Sequence, residues 1–391
     1  MAHTTSLELA ATCSRGFEHV LADEIRRLAA SNVTEGRGVV TFRGGLETIY
    51  RVNLWSRTAI RVLIRLAARH VTCRDDIYAM ARQVEWQRWL SVRDTFAVET
   101  AGRTPVLTHS GFAALLVKDA IVDDFRERTG RRPSVDRSRP SVRIRLHLSA
   151  RESSILIDTS GQPLSRRGYR RYGGAAPLSE SLAAGMLLLA GYDGTRPFLD
   201  PMCGSGTIAA EAALIASNTA PGLYRRFAVE RLPCHDARML AGIRAAAERS
   251  RRDPTVQISA SDCDATILTA ARRNFERARL NRWISLTHRD FEDLELPGEN
   301  TLIVFNPPYG HRLDGRGELT SLYRKIGDTL KQRAQGATAW ILVGSGELAR
   351  SIGLHASARI ILFNGPLECR FLRFDLYAGS RSGRPSTAAT S

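Results

Sequence analysis

The chain has 391 residues, which is enough for two or three domains, and its 43% hydrophobic content is ordinary for a globular protein. A formal net charge of +16 predicts a polyanionic partner, with nucleic acid as the first candidate. Six cysteines without a CxxC pair disfavour a zinc finger, an iron–sulfur cluster or a disulfide scaffold. No apolar run reaches the roughly 20 residues of a membrane span, and no signal peptide is evident, so we expect a cytoplasmic protein without a membrane partner.

Short strand and helix signals alternate over residues 1–60 and predict a small α/β element. Strands are predicted at 6–14 and 38–45, and a helix with apolar residues at helical spacing is predicted at 16–30. A second helix is predicted over 46–63.

Residues 61–160 predict a second unit. Its strands are expected at 61–70 and 95–100, followed by a helix at 111–130 and a strand pair at 141–149 and 153–160. The segment SVRIRLHLS alternates strictly, so one face of its strand should be apolar and the other should carry arginine and histidine.

Arginine is concentrated between residues 126 and 171, where 13 arginines stand against four acids. A solvated face is the usual meaning of such a run, but an excess made almost entirely of arginine favours a surface that contacts phosphate. The candidate RNA-binding residues are Arg126, Arg131, Arg132, Arg143, Arg145, Arg167 and Arg170.

From about residue 175 the signals become β-α-β-α, which is typical of a doubly wound sheet. We expect this domain to extend over 161–379. The remaining residues, 380–391, have no apolar residues to bury in a core and should be disordered.

The segment FLDPMCGSGTIAAEAALIA predicts a strand that ends at Asp200, a tight loop with Gly204 and Gly206, and a helix. The loop is neither a GxGxxG motif nor a P-loop. Asp262 ends the next predicted strand and suits the hydroxyls of a ribose, and Asp290 ends the strand after that. For any one of these acids a turn or helix-cap role is the simpler explanation, but the ordered set favours a nucleotide site.

The interval between Asp200 and Asp262 is 62 residues, where roughly 20 is usual for a nucleotide-binding unit. Residues 217–254 are therefore predicted to be an insertion with a helix of its own.

The segment NPPYG, residues 306–310, follows the apolar strand LIVF at 302–305. Neither proline can donate a ladder hydrogen bond, so the strand must end there in a rigid turn. The turn carries an amide side chain and an aromatic ring, but no acid, base or nucleophile.

These segments together resemble the S-adenosylmethionine-dependent THUMP-domain RNA methyltransferases, and in particular the guanine-N2-modifying half of the K/L group that acts on the large ribosomal RNA. The similarity rests on GFEHVLADEI, NLWSRTAIRVL, DPMCGSGTIAAEAALIA and NPPYGHRL, which occur in family order and cover nearly the whole chain. The resemblance implies a ferredoxin-like element at 1–60, a THUMP domain at 61–160 and a seven-stranded Rossmann-like methyltransferase domain at 161–379.

By the same resemblance the cofactor is S-adenosylmethionine and no metal is needed. Residues of the glycine-rich loop would surround the methionine part of the cofactor: Asp200, Met202, Gly204, Gly206 and Thr207. Asp262 would bind the ribose, and Asp290 with Phe291 would bind the adenine.

The catalytic residues implied are Asn306, Pro307 and Tyr309. The Asn306 side-chain oxygen and the Pro307 carbonyl would accept both protons of an exocyclic amine, and Tyr309 would stack on the extruded base. Cys203 is interpreted as a small loop residue, because amine methylation needs no covalent step. His311 and Arg312 are candidates for a phosphate contact, with an exposed loop as the alternative.

The function expected is formation of N2-methylguanosine in 23S rRNA. NPPY turns also serve adenine, cytosine and protein glutamine methylation, and the arginine-rich half favours RNA. A transfer RNA guanine-N2 methyltransferase stays open as an alternative, and so does a non-catalytic RNA-binding factor of ribosome assembly. The sequence does not indicate an oligomeric state.

Overall fold

A computed structural model describes residues 6–106, 110–171, 178–309 and 316–377. Among these residues the chain forms two compact units. The first takes the residues up to 171 together with 178–189 and 214–253, and the second takes 190–213 and those from 254 onward. The expected disorder of 380–391 and the predicted phosphate contacts of His311 and Arg312 lie outside the described residues.

Strands and helices are numbered in chain order. The strands are β1 (Leu7–Thr12), β2 (Ser31–Gly36), β3 (Val39–Gly44), β4 (Arg61–Arg69), β5 (Thr95–Gly102), β6 (Ser134–Val135), β7 (Val142–Leu148), β8 (Ser153–Asp158), β9 (Phe198–Asp200), β10 (Ile258–Asp262), β11 (Ile284–His288), β12 (Leu302–Phe305), β13 (Thr338–Val343), β14 (Ala358–Asn364) and β15 (Leu367–Asp375). The helices are α1 (Glu18–Arg27), α2 (Leu46–Trp55), α3 (Arg74–Arg82), α4 (Ser110–Thr129), α5 (Glu180–Leu189), α6 (Thr207–Ala216), α7 (Ala237–Arg249), α8 (Ala265–Ala278), α9 (Arg316–Arg333) and α10 (Gly346–Ser351).

The first unit contains one eight-stranded sheet, in the order β2-β3-β1-β4-β8-β7-β5-β6. Strand β4 joins its two halves, because Leu63 pairs with Ala10 of β1 on one side and with Asp158 of β8 on the other. The alternation predicted for β7 is confirmed, since its apolar residues are buried and its arginines and histidine are not. The sequence did not predict β2 or α3.

The helix predicted over 46–63 is wrong beyond Trp55. Three residues after Trp55 bond instead to the carboxylate of Glu24: the Ser56 hydroxyl at 3.0 Å, the Arg57 amide at 2.7 Å and the Thr58 amide at 3.1 Å. These bonds replace the intrahelical ones, so the chain leaves the helix and enters β4.

The second unit contains a seven-stranded sheet in the order β11-β10-β9-β12-β13-β15-β14. The first five strands are parallel, and β15 runs antiparallel to both of its neighbours. Helix α9 contributes Tyr323, Ile326 and Leu330 to the same buried cluster as Ile303 and Phe305 of β12. This architecture confirms the doubly wound, Rossmann-like sheet that the sequence predicts.

The carboxyl ends of β9, β10, β11 and β12 meet at one edge of this sheet. The chain order reverses between β9 and β12, which makes their carboxyl ends the place where open α/β sheets bind ligands. The interval predicted as an insertion contains α7, and its residues up to Asp253 belong to the first unit. Within 6–106, 110–171, 178–309 and 316–377, no helix is long and apolar enough to cross a membrane.

Candidate active site at the carboxyl edge of the sheet

Four predicted site residues end or follow four adjacent strands. Asp200 is the last residue of β9 and Asp262 the last of β10, while Asp290 lies two residues beyond β11 and Asn306 directly follows β12. Because these strands are parallel neighbours, the structure brings the three acids and the NPPY turn to one edge. The order along the edge is Asp290, Asp262, Asp200 and Asn306.

The loop between β9 and α6 folds tightly because of its two glycines. Gly204 has φ +53° and Gly206 has φ +81°, a backbone region that other residues rarely adopt. The Gly206 amide donates to the Cys203 carbonyl at 2.8 Å, and a Cβ on Gly206 would lie 2.4 Å from the ring of Phe275. Gly206 is therefore required both for its conformation and for its closeness to α8.

Asp262 is tied to this loop. Its Oδ2 accepts a hydrogen bond from the Gly204 amide at 2.8 Å, and its Oδ1 accepts one from the Asp264 amide at 3.1 Å. Each carboxylate oxygen has a second lone pair, and the side chain is half-buried rather than enclosed. Asp262 can therefore hold the loop and still accept hydrogen bonds from a ribose.

Asp200 is an enclosed carboxylate without a counter-ion among the described residues. It is 1% exposed, and neither oxygen makes a hydrogen bond of ordinary geometry with any residue that the structure describes. Burial and, second, the charge of Asp262 raise the pKa of Asp200 well above its usual range, although the amides of Met202 and Ala209 oppose the rise. A buried acceptor of this kind is suited to a cationic group of a ligand.

The raised pKa of Asp200 predicts how stability depends on pH. The folded protein holds this proton more tightly than the unfolded chain, so the wild type loses stability as the pH rises above about 4, the ordinary pKa of aspartic acid. Asp200→Asn removes that penalty. We therefore expect the melting temperature of Asp200→Asn, relative to that of the wild type, to rise between about pH 5 and about pH 8. Thermal unfolding of both proteins without cofactor measures it.

Asp193→Asn serves as the control for this measurement. Hydrogen bonds from Thr195 lower the pKa of Asp193, so it is ionised in both states over the same pH range. Its melting-temperature difference from the wild type should not change with pH. If the melting-temperature difference between Asp200→Asn and the wild type were also constant with pH, the raised pKa of Asp200 would be contradicted.

The remaining predicted cofactor residues are placed as follows. Thr207 begins α6 and is 6% exposed, and Met202 is partly buried against the apolar cluster of the second unit. Asp290 is exposed, and its Oδ1 accepts a hydrogen bond from the Glu292 amide at 3.0 Å. Phe291 is 6% exposed and packs on Phe305, with the ring centroids 5.3 Å apart.

The Asn306 side-chain oxygen is the second orphaned acceptor at this edge. Its Oδ1 is buried and accepts no hydrogen bond from the described residues. Such an atom costs free energy unless a ligand supplies a donor, so its presence at a strand end points to function. Pro307 is buried beside it and fixes the backbone that follows.

Three residues that the sequence did not predict hold the turn in place. The buried Tyr323 hydroxyl donates to the Pro308 carbonyl at 3.4 Å, and burial raises the pKa of Tyr323, which keeps it a donor. Asn364 donates to the Tyr309 hydroxyl at 3.0 Å, and a Cβ on Gly344 would lie 2.7 Å from the Tyr309 ring. These residues lie far from the motif in sequence, and nothing local marks them.

Cys203 has the environment of an inert thiol. It is 7% exposed, and burial, together with the charges of Asp200 and Asp262, raises its pKa well above the usual range. A nucleophilic cysteine needs the opposite shift. This environment agrees with its interpretation as a small loop residue.

The predicted RNA-binding arginines fall into two groups. Arg126, Arg131 and Arg132 are exposed at the end of α4 and in the following loop. The other four donate to acceptors inside the first unit: Arg143 to Glu99, Arg145 to Glu99 and Asp158, Arg167 to the Leu164 and Arg57 carbonyls, and Arg170 to the Leu178 carbonyl and Glu180.

The burial of Arg167 argues against direct RNA contact by this residue. It is 7% exposed, and its guanidinium spans two backbone carbonyls. RNA contact stays a prediction for the exposed group. Among the residues described, no cluster of three or more histidine, cysteine or acidic side chains is arranged to hold a metal ion.

Comparison with known proteins identifies the family of the chain. A family model described as "RMKL-like, methyltransferase domain" matches residues 167–373, and models of the RlmL ferredoxin-like domain and the THUMP domain match 8–63 and 73–158. The chain is 42% identical over 379 residues to ribosomal RNA large subunit methyltransferase K/L of Syntrophotalea carbinolica, covering 94% of this chain and 53% of that protein. It is 38% identical over 370 residues to the putative RNA methyltransferase slr0064 of Synechocystis sp., covering 94% of this chain and 96% of that protein.

Among solved structures, SMU.472, a putative methyltransferase complexed with SAH, superposes with a TM-score of 0.86 at 29% identity, covering 96% of this chain and 99% of that one. The sheet order, the family match and the similarity to this structure define the class, that of S-adenosylmethionine-dependent methyltransferases. Within that class the chain belongs to the RMKL-like family.

These matches confirm the predicted family and fold, with ferredoxin-like, THUMP and Rossmann-like methyltransferase domains. The chain spans about half the length of the K/L relatives, 53% for that of Syntrophotalea carbinolica.

Proposed function

We propose that this chain is an S-adenosylmethionine-dependent RNA methyltransferase that forms N2-methylguanosine in 23S rRNA. The observation that carries the proposal is the buried Asn306 Oδ1, which receives no donor from the residues that the structure describes, at the edge where the strand-end acids meet. The names of the K/L relatives and of slr0064, together with the THUMP match, support RNA as the substrate class.

The chemistry of an exocyclic amine explains why acceptors are needed. The amine lone pair of guanine is delocalised into the ring, so the nitrogen is a poor nucleophile. Acceptance of its two protons by the Asn306 oxygen and the Pro307 carbonyl aligns the amine and stabilises the positive charge that develops on nitrogen. The prolines and the Tyr323 bond to the Pro308 carbonyl restrict the turn, so little reorganisation is required.

The cofactor supplies an electrophilic methyl group when it is bound. On this chain the loop with Gly204 and Gly206 would enclose its methionine part, with the orphaned Asp200 carboxylate available to a cationic group. Asp262 would accept from the ribose, and Asp290 would lie by the adenine. After methyl transfer the nitrogen loses a proton to solvent, so no strong base is needed.

Exposed arginines of the first unit should bind the RNA backbone. Replacement of Arg126, Arg131 and Arg132 by glutamate should weaken RNA binding and lower the slope of log affinity against log salt by about two to three, because each lost phosphate contact removes nearly one released counterion. Titrations at several salt concentrations measure both quantities.

A matched control reverses three exposed arginines of the second unit, Arg272, Arg350 and Arg359. This variant has the same net charge as the first. If it weakens RNA binding and flattens the salt slope equally, the effect is one of total charge, and the predicted surface around Arg126, Arg131 and Arg132 is refuted.

The substrate itself is tested by incubating the protein with labelled S-adenosylmethionine and unmodified 23S rRNA, 16S rRNA or bulk transfer RNA. The proposal predicts label in 23S rRNA alone. Label in transfer RNA alone would refute 23S rRNA as the substrate and favour transfer RNA instead. RNA binding without label in any RNA would favour a non-catalytic role in ribosome assembly.

A further inference from the structure

A cleft of about 580 Å³ lies within the first unit, outside the site at the sheet edge. It lies between the loop before β7 (residues 138–141), the turn after β8 (160–162) and part of the inserted interval (226–235). Its size is within the range of about 300–1,000 Å³ that is common for ligand sites. We call it the arginine cleft, because Arg139, Arg143, Arg226 and Arg231 line it.

The walls of the arginine cleft are joined by hydrogen bonds. The Val229 amide donates to the Thr159 carbonyl at 2.9 Å, which joins the inserted interval to the turn after β8. Arg225 donates to the carbonyls of Gln162 at 2.8 Å and Pro163 at 2.7 Å. Arg231 donates across to the Pro140 carbonyl at 3.3 Å. The cleft is therefore formed before any ligand arrives.

The cleft carries an excess of positive charge. Glu230 is the one acidic residue among its described lining residues, and Arg244 neutralises it at 2.8 Å. Arg139 and Arg226 are exposed, and their guanidinium groups make no hydrogen bond or ion pair with the described residues, although Arg139, by its backbone amide first and then by its charge, contributes to lowering the pKa of Asp136. At least two arginine side chains thus have all their donors available to an anion.

His235 adds a ring nitrogen to the cleft. The Asp236 amide donates to the Tyr50 oxygen at 2.8 Å, and the Tyr50 hydroxyl lies 2.7 Å from His235 Nδ1. Burial raises the pKa of Tyr50 to about 12, so the phenol keeps its proton and directs it at Nδ1. This arrangement assigns the imidazole proton to Nε2, the ring nitrogen left for an occupant of the cleft.

Among the described residues that line it, the cleft has no exposed aromatic ring of Phe, Tyr or Trp on which a nucleic-acid base could stack. Apart from the imidazole, its one aromatic side chain among the described residues is Phe227, which is 2% exposed and covered by the Arg244 guanidinium at 5.6 Å. Guanidinium and N–H donors without an exposed aromatic ring are typical of contacts to the phosphate backbone rather than to bases.

We propose that the arginine cleft binds consecutive phosphates of the RNA substrate, with Arg139, Arg226 and His235 as donors. The inserted interval would then serve to complete an RNA-backbone site with the sheet of the first unit. This inference rests on the proposed function for the identity of the polymer, and it predicts binding that is strong at low salt and independent of sequence.

The test uses the full chain with Arg139→Gln and Arg226→Gln combined, and with Arg272→Gln and Arg359→Gln as the control of equal charge. Fluorescence anisotropy with a 23S rRNA fragment and with a scrambled RNA of the same length gives affinity at several salt concentrations. For the first variant, the log–log salt slope should fall by about 1.5 to 2, and affinity should fall by the same factor for both RNAs. An unchanged slope, or a control that changes equally, overturns the proposal.

A competition arm distinguishes the RNA backbone from a free phosphate ligand. Adenosine monophosphate at the same phosphate concentration as the RNA should not displace it, and effective displacement would overturn the backbone proposal in favour of a mononucleotide site. Methylation assays separate this inference from the proposed function. If the wild-type protein methylates no RNA but the double variant binds RNA with a smaller salt slope, the cleft proposal is supported and the proposed function is refuted. If the wild-type protein methylates RNA and the salt slope of the double variant is unchanged, the proposed function is supported and the cleft proposal is refuted.

Discussion

Replacement of Asn306 by alanine should lower the rate of methyl transfer at saturating cofactor and RNA by about 10²–10³-fold, the usual cost of removing one preorganised polar group that stabilises transition-state charge. The variant loses the buried Oδ1 acceptor, which the described residues leave without a donor, and nothing else in the fold depends on that atom. Cofactor and RNA affinities should stay within about twofold of wild type, because the interaction is made mainly in the transition state.

Two further variants test the Asn306 prediction. Asn281→Ala removes an exposed asparagine of the same unit and should leave turnover unchanged. Asn306→Asp keeps an acceptor at the position of Oδ1 and should retain more activity than the alanine variant. Single-turnover rates measured with all three proteins decide the matter, and wild-type turnover by Asn306→Ala would refute the assignment of this residue.

Replacement of Gly206 by alanine should weaken S-adenosylmethionine binding by at least about tenfold, equivalent to about 1.4 kcal/mol. The new Cβ would lie 2.4 Å from Phe275, in a backbone region with φ +81°. Relief of that overlap must move the glycine-rich loop, which Gly204 ties to the ribose-binding candidate Asp262. Calorimetric titration of the cofactor measures the loss.

Gly336→Ala is the control for the Gly206 prediction. Gly336 has nearly the same backbone angle, φ +80°, but no atom lies within 4 Å of a Cβ added there. The strain of about 1 kcal/mol should lower its thermal stability without changing cofactor affinity. If both variants bind the cofactor like wild type, the loop is not the cofactor site.

The site at the sheet edge was predictable from sequence because its parts are local. Asp200 and Asp262 each end a short strand and Asn306 directly follows one, and parallel strands place their carboxyl ends together. The supporting residues were not predictable, since Tyr323 lies 15 residues and Asn364 lies 55 residues from the turn residue that each one contacts. Tertiary contacts of this kind leave no periodic signal.

Elsewhere the sequence does not show where a distant residue determines the contacts of a local segment. The end of α2 depends on Glu24, which lies 32 residues before Ser56 and supplies the acceptors that replace helical bonds. Arg167 and Arg170 look like part of a phosphate-binding run, but their guanidinium groups bind acceptors of the same unit. A count of charges does not reveal whether an arginine faces solvent or a carbonyl.

The most direct test of the account is the identity of the methylated nucleoside. Labelled 23S rRNA from the wild-type reaction should be digested to nucleosides and analysed by chromatography with mass spectrometry. We expect N2-methylguanosine, because the Asn306 and Pro307 acceptors are suited to an exocyclic amine and the resemblance to the K/L group favours the amine of guanine. N6-methyladenosine, N4-methylcytidine, a carbon-methylated pyrimidine or a ribose-methylated nucleoside as the sole product would contradict this expectation.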